Sequence, residues 1–385
     1  MARLGDVCII NPKVPPIDDS MLVSFVPMQR VGEEGEFDPS EQRTYADVKK
    51  GFTYFADADV LFAKITPCME NGKGAIACGM ENGIGFGSTE FHVLRPNKKM
   101  MMGEWLYYLT VCPTFRKEAE RNMTGSAGQK RVPKSFLENY HVNIPVLSEQ
   151  HQQVQVLNNI FALLSLRKQQ LAKLDELVKS RFMEQFGCYL GDEPRCATVE
   201  QVCTVFADGD WIESKDQADD GIRLIQTGNV GNGVYLDKGE RARYIDEETF
   251  ARLNCTEVLP NDILISRLPD PVGRACIIPD GLGKTITAVD CSIVRLKRHV
   301  LPEFFVAYTM TTLYAAQIGS SVTGSTRKRI SRKNLGQVVI PTPDIDQQEQ
   351  FAAFVRQSDK SKLAVQQSID QLETLKKSLM QKYFG

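Results

Sequence analysis

The sequence predicts an α+β fold with an internal repeat: two similar mixed α/β domains separated by two long antiparallel coiled-coil helices, related by an approximate two-fold axis. Three observations predict it. Short apolar runs alternate with Gly, Pro, Asn and Asp clusters over two long stretches, a Thr-Gly-Ser turn followed by basic residues occurs twice, and each copy closes on a heptad-spaced pattern ending in Phe-Gly.

In chain order, residues 1–146 read as short strands joined by turns, with Gly72-Lys73-Gly74 and Asn82-Gly83 as turn signals. A helical stretch around Trp105, Leu106, Tyr108 and Leu109 interrupts them. Residues 147–187 change period: Leu157, Leu164, Leu171 and Val178 recur every seven residues, with Ile160 and Leu174 between them. Residues 188–343 return to the strand pattern, with Phe304, Phe305, Ala307 and Tyr308 in the helical slot. Residues 344–385 repeat the helical stripe through Val365, Leu372 and Leu379, joined by Ile369 and Leu375. A heptad stripe buries one side of a long helix against another helix, so the two spacers are expected to pack on each other. Ser148 and Asp344 or Asp346 are the N-cap candidates, and Gly187 and Gly385 stand where a helix stops. About 38 residues at roughly 1.5 Å each make a rod of about 57 Å.

The repeat rests on matched segments. Thr124-Gly125-Ser126 recurs as Thr323-Gly324-Ser325. Lys130-Arg131-Val132-Pro133-Lys134 is matched by Lys328-Arg329-Ile330-Ser331-Arg332, Ile144-Pro145 by Ile340-Pro341, and Glu149-Gln150 by Asp346-Gln347. Leu174–Gly187 and Leu372–Gly385 share six of fourteen residues, where ordinary composition gives about one. Earlier in each copy Asp59–Lys64 sits opposite Asp262–Arg267, and Phe91–Arg95 opposite Cys291–Arg295. The shared framework is apolar while the residues between differ, so the two domains are expected to bind different targets.

Composition excludes several classes. The 385 residues are 42% hydrophobic and 24% charged, a globular balance with a net charge of −2. The ten cysteines form no CxxC pair and the four histidines lie far apart, which argues against a structural zinc site. No run of about eighteen apolar residues provides a membrane span and the start carries no secretory pattern, so a cytoplasmic protein with reduced thiols is expected. Gly281-Leu282-Gly283-Lys284-Thr285 lacks the earlier glycine of a phosphate loop, whose place is taken by Ile278. Asn11-Pro12-Lys13 is the nearest approach to an adenine methyltransferase's Asn/Asp-Pro-Pro-aromatic segment and does not match it. Nothing pairs a nucleophile with a base, and a non-catalytic chain is expected.

The tandem order of a variable α+β domain, a TGS turn, a basic segment, an Ile-Pro step, an acidic-Gln pair and a long helix resembles the specificity subunit of type I restriction–modification systems, over essentially the whole chain. In contrast to relatives with a leading helical segment, the first reading domain opens this chain, so both spacers are placed after their domains. The resemblance implies that each domain reads one half of a bipartite, asymmetric double-stranded DNA site. It also implies that the helices fix the gap between the halves and dock two modification (methyltransferase) subunits. Adenine methylation and, in systems that cut, restriction would belong to those partners, which would carry S-adenosylmethionine, ATP and magnesium; no cofactor is expected here. A coiled-coil scaffold joining two protein-binding domains is the competing reading, and the doubled basic patch argues against it.

Phosphate contacts are expected from the two basic segments, Lys130, Arg131 and Lys134 in the first and Arg327, Lys328, Arg329, Arg332 and Lys333 in the second. Thr124, Gly125, Ser126, Thr323, Gly324 and Ser325 supply hydroxyl and backbone donors at a turn the DNA backbone can approach. An ordinary solvated turn is the bland alternative, and recurrence weighs against it. Base edges call for side chains that present paired hydrogen bonds. The candidates are Gln29, Arg30, Gln226, Thr227 and Asn229, then Lys64 and Arg267 at matching strand ends, then Asn71, Lys73 and Arg274 in the following turns. A polar strand terminus is the competing explanation for each.

Overall fold

The computed structural model describes residues 1–126, 128–189, 195–324 and 328–385. Two compact units emerge: Met1–Arg167 with Gln367–Gly385, and Lys168–Gln366. Each holds one α+β domain and a portion of both long helices.

In the first unit the strand Val60–Ala63 is apolar at every position and buried throughout. Side chains alternate faces along a strand, so Val60 and Phe62 pack with Trp105 and Leu106 of the helix Gly103–Val111, while Leu61 and Ala63 pack with Val26 and Phe55 on the other side. That strand lies inside a four-stranded sheet ordered Cys8–Ile10, Phe91–Pro96, Val60–Ala63, Gly74–Ile76, with antiparallel neighbours throughout. A second sheet runs Gln42–Thr44, Leu22–Val26, Ile84–Gly87, Thr53–Ala56, and its Leu22–Val26 and Ile84–Gly87 strands are parallel. A short pairing of Ala2–Arg3 with His141–Val142 closes the domain.

The second unit repeats the plan. Its main sheet is Cys203–Asp208, Cys291–Leu296, Ile263–Ser266, Ala275–Ile277, and its smaller sheet is Arg243–Ile245, Ile222–Ile225, Thr285–Thr287. Cys196–Thr198 pairs with Val339–Pro341. Ile263 and Ile265 face the helical side with Phe304 and Tyr308, and Leu264 faces Ile225 and Val230.

Buried polar groups repeat with the same geometry. Asp59 accepts two hydrogen bonds from Arg95, both 2.7 Å, and one from the Ala56 amide at 2.8 Å. Asp262 accepts from Arg295 at 2.8 and 2.7 Å and from the Leu259 amide at 2.8 Å. Gln150, fully buried, donates to the carbonyls of Met100 and Pro145 and accepts from the Met102 amide. Gln348, also fully buried, donates to His299 and Pro343 and accepts from Leu301.

These pairs correct the register of the repeat. The structural partner of Gln150 is Gln348, not Gln347, and that of Pro145 is Pro343 rather than Pro341. Each glutamine caps the proline carbonyl five residues before it at the start of a helix, and that contact decides the match. The Ile-Pro dipeptides coincide in spelling and not in place.

The long helices span Leu147–Phe186 and Ile345–Phe384. Ser148 lies inside the first turn of one helix, and Asp344 immediately precedes the other. Within the first unit Gln153 bonds Trp105, whose ring meets Phe384, and Lys376 lies over the Phe161 ring. Within the second, Phe182 and Phe186 pack on Phe351, and Lys362 meets Asp175 at 2.7 Å. In both units the helices therefore run antiparallel. Leu157, Ile160, Leu164, Val178, Val365 and Ile369 are buried, as the stripe predicts. Leu375 departs from it: the residue is 47% exposed, because an antiparallel pair buries a narrow seam and leaves flanking positions open.

Candidate nucleic-acid interface

Three loops of the first domain are tied together. Thr124 and Arg131 exchange backbone hydrogen bonds of 2.9 and 2.8 Å, closing a hairpin around Gly125, whose φ of +121° favours glycine. The hairpin base is stitched to the strand end, with the Val132 amide donating to the Lys64 carbonyl and the Thr66 amide to that of Lys130. The loop after that strand is linked in turn to the 3₁₀ turn Met28–Arg30, through Lys73 Nζ on the Met28 carbonyl at 3.2 Å. Gln29, Asn71, Thr124, Gly125, Ser126, Lys130 and Lys134 are exposed here, and Arg30, Lys64, Lys73 and Arg131 are half-buried. Lys130 has no side-chain partner among the described residues. Lys134 pairs with Glu138 one helical turn on.

Arg131 is held by Glu90 through contacts of 2.9 Å. These hydrogen bonds keep the Glu90 carboxyl below its ordinary range and raise the Arg131 guanidinium. His92, two residues on, is buried between the Asn11 amide and the Val132 carbonyl, and burial lowers its pKa. Arg116 reaches into the loop from the helix Pro113–Arg121: its guanidinium donates to the carbonyls of Thr110, Met69, Gly72 and Lys73 and covers the Phe62 ring. Burial without a carboxylate pushes it down to about 10.

The second domain makes an equivalent closing pair at the matching strand end. Thr323 and Arg329 exchange bonds of 3.0 and 2.9 Å, Gly324 has φ +100°, and the Ile330 amide donates to the Arg267 carbonyl. Arg329 pairs with Asp290 at 3.2 Å, the counterpart of Arg131 with Glu90. Thr323, Gly324, Lys328, Arg329, Arg332 and Lys333 are exposed. Ser325 and Arg327 lie outside the described residues. Arg332 donates to the Phe206 carbonyl at 3.1 Å. The remaining candidates are set deeper. Arg267 is 4% exposed, and its guanidinium bonds the Val289 carbonyl and stands 3.5 Å from Asp208. Burial lowers its pKa. Arg274 gives its donors to the carbonyls of Val230, Leu268, Pro271 and Thr227, clamping the loop to the 3₁₀ turn Thr227–Asn229. Asn229 is buried and accepts from the Gln226 amide while donating to Leu236. Gln226 and Thr227 are half-buried.

Among the described residues, the structure thus brings the candidates of each domain to connected loops and divides them by task. Lysines beside the closing pairs project into solvent; Arg267, Arg274 and Asn229 hold the loops. Glu90, Asp290 and Arg116 escaped the sequence reading. The first two directly precede the matched segments Phe91–Arg95 and Cys291–Arg295, so extending that match by one residue would have found them. Among the described residues, no three His, Cys, Asp or Glu side chains form a metal-holding group, and no helix is long and apolar enough to cross a membrane.

Comparison with known proteins agrees with this duplication. The chain is 44% identical over 176 residues to the EcoAI specificity subunit of a type I restriction enzyme from Escherichia coli, and 41% identical over 175 residues to the EcoEI specificity subunit from the same organism. Each match takes in 45% of this chain but only 30% and 29% of the relative's length. A putative type I restriction enzyme MjaX specificity subunit from Methanocaldococcus jannaschii is 22% identical over 342 residues, covering 84% of this chain and 76% of that protein. The fold is that of a chain solved in work on assembly and conformational transition of the type I R-M system, with a TM-score of 0.60 at 18% identity, covering 100% of this chain and 96% of that one. The profile described as "Type I restriction modification DNA specificity domain" matches residues 1–176 and again 196–374. The chain belongs to the type I restriction modification DNA specificity domain family and carries that domain twice.

Proposed function

We propose that this chain is the DNA-recognition subunit of a type I restriction–modification enzyme, each domain gripping one half of a split duplex site. The observation that carries the reading is the closing pair with its ion-paired arginine, made twice at equivalent strand ends with Lys130 and Lys328 free beside it among the described residues. Such cations neutralise backbone phosphates, and the residues beside them face base edges. The apolar positions left open on the long helices support docking of modification subunits, two in number, and of restriction subunits where the system cuts: Val156, Leu163, Leu166 and Leu177 on one helix, Leu363 and Leu375 on the other. Helices of 40 residues, about 60 Å at about 1.5 Å per residue, suit a spacer between half-sites. In this reading the chain is not catalytic. Methyl donor, ATP and magnesium are bound by its partners.

Selection from a random duplex pool by the full chain with its co-purified subunits tests this. A motif of two short conserved blocks separated by a gap of fixed length is expected; recovery of no enriched sequence overturns the reading.

A further inference from the structure

A bridge follows the 3₁₀ turn in both domains, and the segment from that bridge onward is acidic in the first domain but rich in cations in the second. In the first domain Val31 bridges Phe37, and in the second Val230 bridges Tyr235. Residues 31–43 of the first hold five carboxylates and one arginine, with Glu33, Glu34 and Glu36 at the tip. Its neighbour Arg30 is neutralised by Asp38 and Glu41. Residues 230–243 of the second hold Lys238, Arg241 and Arg243 against Asp237 and Glu240.

The second domain's cations line a cavity of about 180 Å³ together with Arg223, Gln226 and Gly228, room for about six waters at roughly 30 Å³ each. Two of its cations already have side-chain partners, one a carboxylate and one a neutral amide. Arg223 is paired with Asp237, and Arg243 donates to Gln217 at 2.8 Å. Asp237 also accepts the Gly239 amide at 3.0 Å, fixing the tight turn Gly239–Arg241. Lys238, just before that turn, and Arg241, its last residue, are exposed and have no side-chain partner among the described residues. Lys238 arches over Gly228, where an added Cβ would stand 3.8 Å from its Nζ. The cavity therefore holds, beside Gln226, two cations whose donors have no side-chain partner among the described residues.

We propose that this cavity is a backbone-phosphate site of the second domain, with Lys238 and Arg241 as its ligands, and that the first domain has no equivalent. It rests on the DNA-recognition reading and adds an asymmetry to it. A phosphate anchored there fixes the register of Gln226 against the base edges, since phosphate contacts position and base contacts specify. In the first domain the segment carries mostly carboxylates, and its one arginine, Arg43, is paired with Glu41.

The test is a salt titration of full-chain binding to a random-sequence duplex pool, comparing wild type with a Lys238→Gln/Arg241→Gln variant. Each lost phosphate contact makes the slope of log affinity against log salt shallower by about 0.9, so the variant is expected to be shallower by about two. A variant with the wild-type slope and affinity overturns the site and leaves the DNA-recognition reading standing. A wild-type chain that binds no duplex overturns both. Thermal melting of the variant separates a lost contact from a lost fold, and an unchanged melt is expected because both side chains are exposed.

Discussion

The ring of Phe384 packs at 5.0 Å from that of Trp105, tilted by 52°, so the last turn of the second long helix forms part of the first domain's core. Phe186 does the same for the second domain, 5.0 Å from Phe304. The two Phe-Gly endings each seal the domain of their own unit. Removing a buried phenylalanine costs about 3 kcal/mol through lost burial and the cavity left behind. Phe384→Ala is expected to raise amide exchange in Gly103–Val111, and Phe186→Ala in Pro302–Thr309, as read by hydrogen-exchange mass spectrometry. Unchanged exchange in both segments would refute the sealing role.

Asp59 is almost fully buried and carries Arg95 and the Ala56 amide on its two oxygens. Asp59→Ala leaves a guanidinium without its counter-charge, with a loss of about 2–3 kcal/mol, the smaller end for a broken buried pair because Arg95 is partly exposed. Asp262→Ala is expected to do the same in the second domain. Urea midpoints measure it. The Asp59→Leu/Arg95→Leu double variant should recover part of the loss, since an apolar pair has no stranded charge.

His92 gives the first domain a pH dependence. Its native pKa lies below the ordinary value, so the unfolded chain binds a proton that the native chain refuses, and stability rises with pH in that window. The stabilisation is complete above an unfolded pKa of about 6.5 and is lost as pH falls below it towards the depressed native value. Urea unfolding from pH 8 to pH 5 should show this slope, and His92→Gln should flatten it. An equal slope in the variant would assign the effect to other groups.

Arg116 satisfies four carbonyls around the Met69–Lys73 loop with no carboxylate nearby. Arg116→Lys keeps the charge and loses the planar set of donors, so the loop bearing Asn71 and Lys73 should loosen. Duplex affinity is expected to fall several-fold, together with increased exchange in that loop. Wild-type affinity with a loosened loop would remove Asn71 and Lys73 from the contact surface.

Much of this architecture was legible because burial writes itself into spacing. Val60–Ala63 and Ile263–Ser266 are apolar runs at matching places, and Leu157, Leu164 and Val178 mark the helix seam. Register was harder: Ile144-Pro145 and Ile340-Pro341 look alike, yet the carbonyls that Gln150 and Gln348 cap belong to Pro145 and Pro343. Leu375 fits the stripe by number and faces outward because the seam is narrow. At the interface, side-chain chemistry identified cations without their environment. Arg267 and Arg274 are as basic as Lys130 in the sequence, and only the folded chain brings the carbonyls of Val230, Leu268 and Val289 around them. The partners of Arg131 and Arg329, Glu90 and Asp290, come from distant segments, and only the match between the two copies, extended by one residue, points to them.

Hydroxyl-radical footprinting of the selected duplex, bound by the full chain with its partner subunits, tests most directly whether the two domains grip separate halves of one site. Two protected segments separated by an unprotected gap are expected, with Lys130→Gln/Lys134→Gln weakening one segment and Lys328→Gln/Lys333→Gln the other. A single continuous footprint that both variants weaken equally would contradict it.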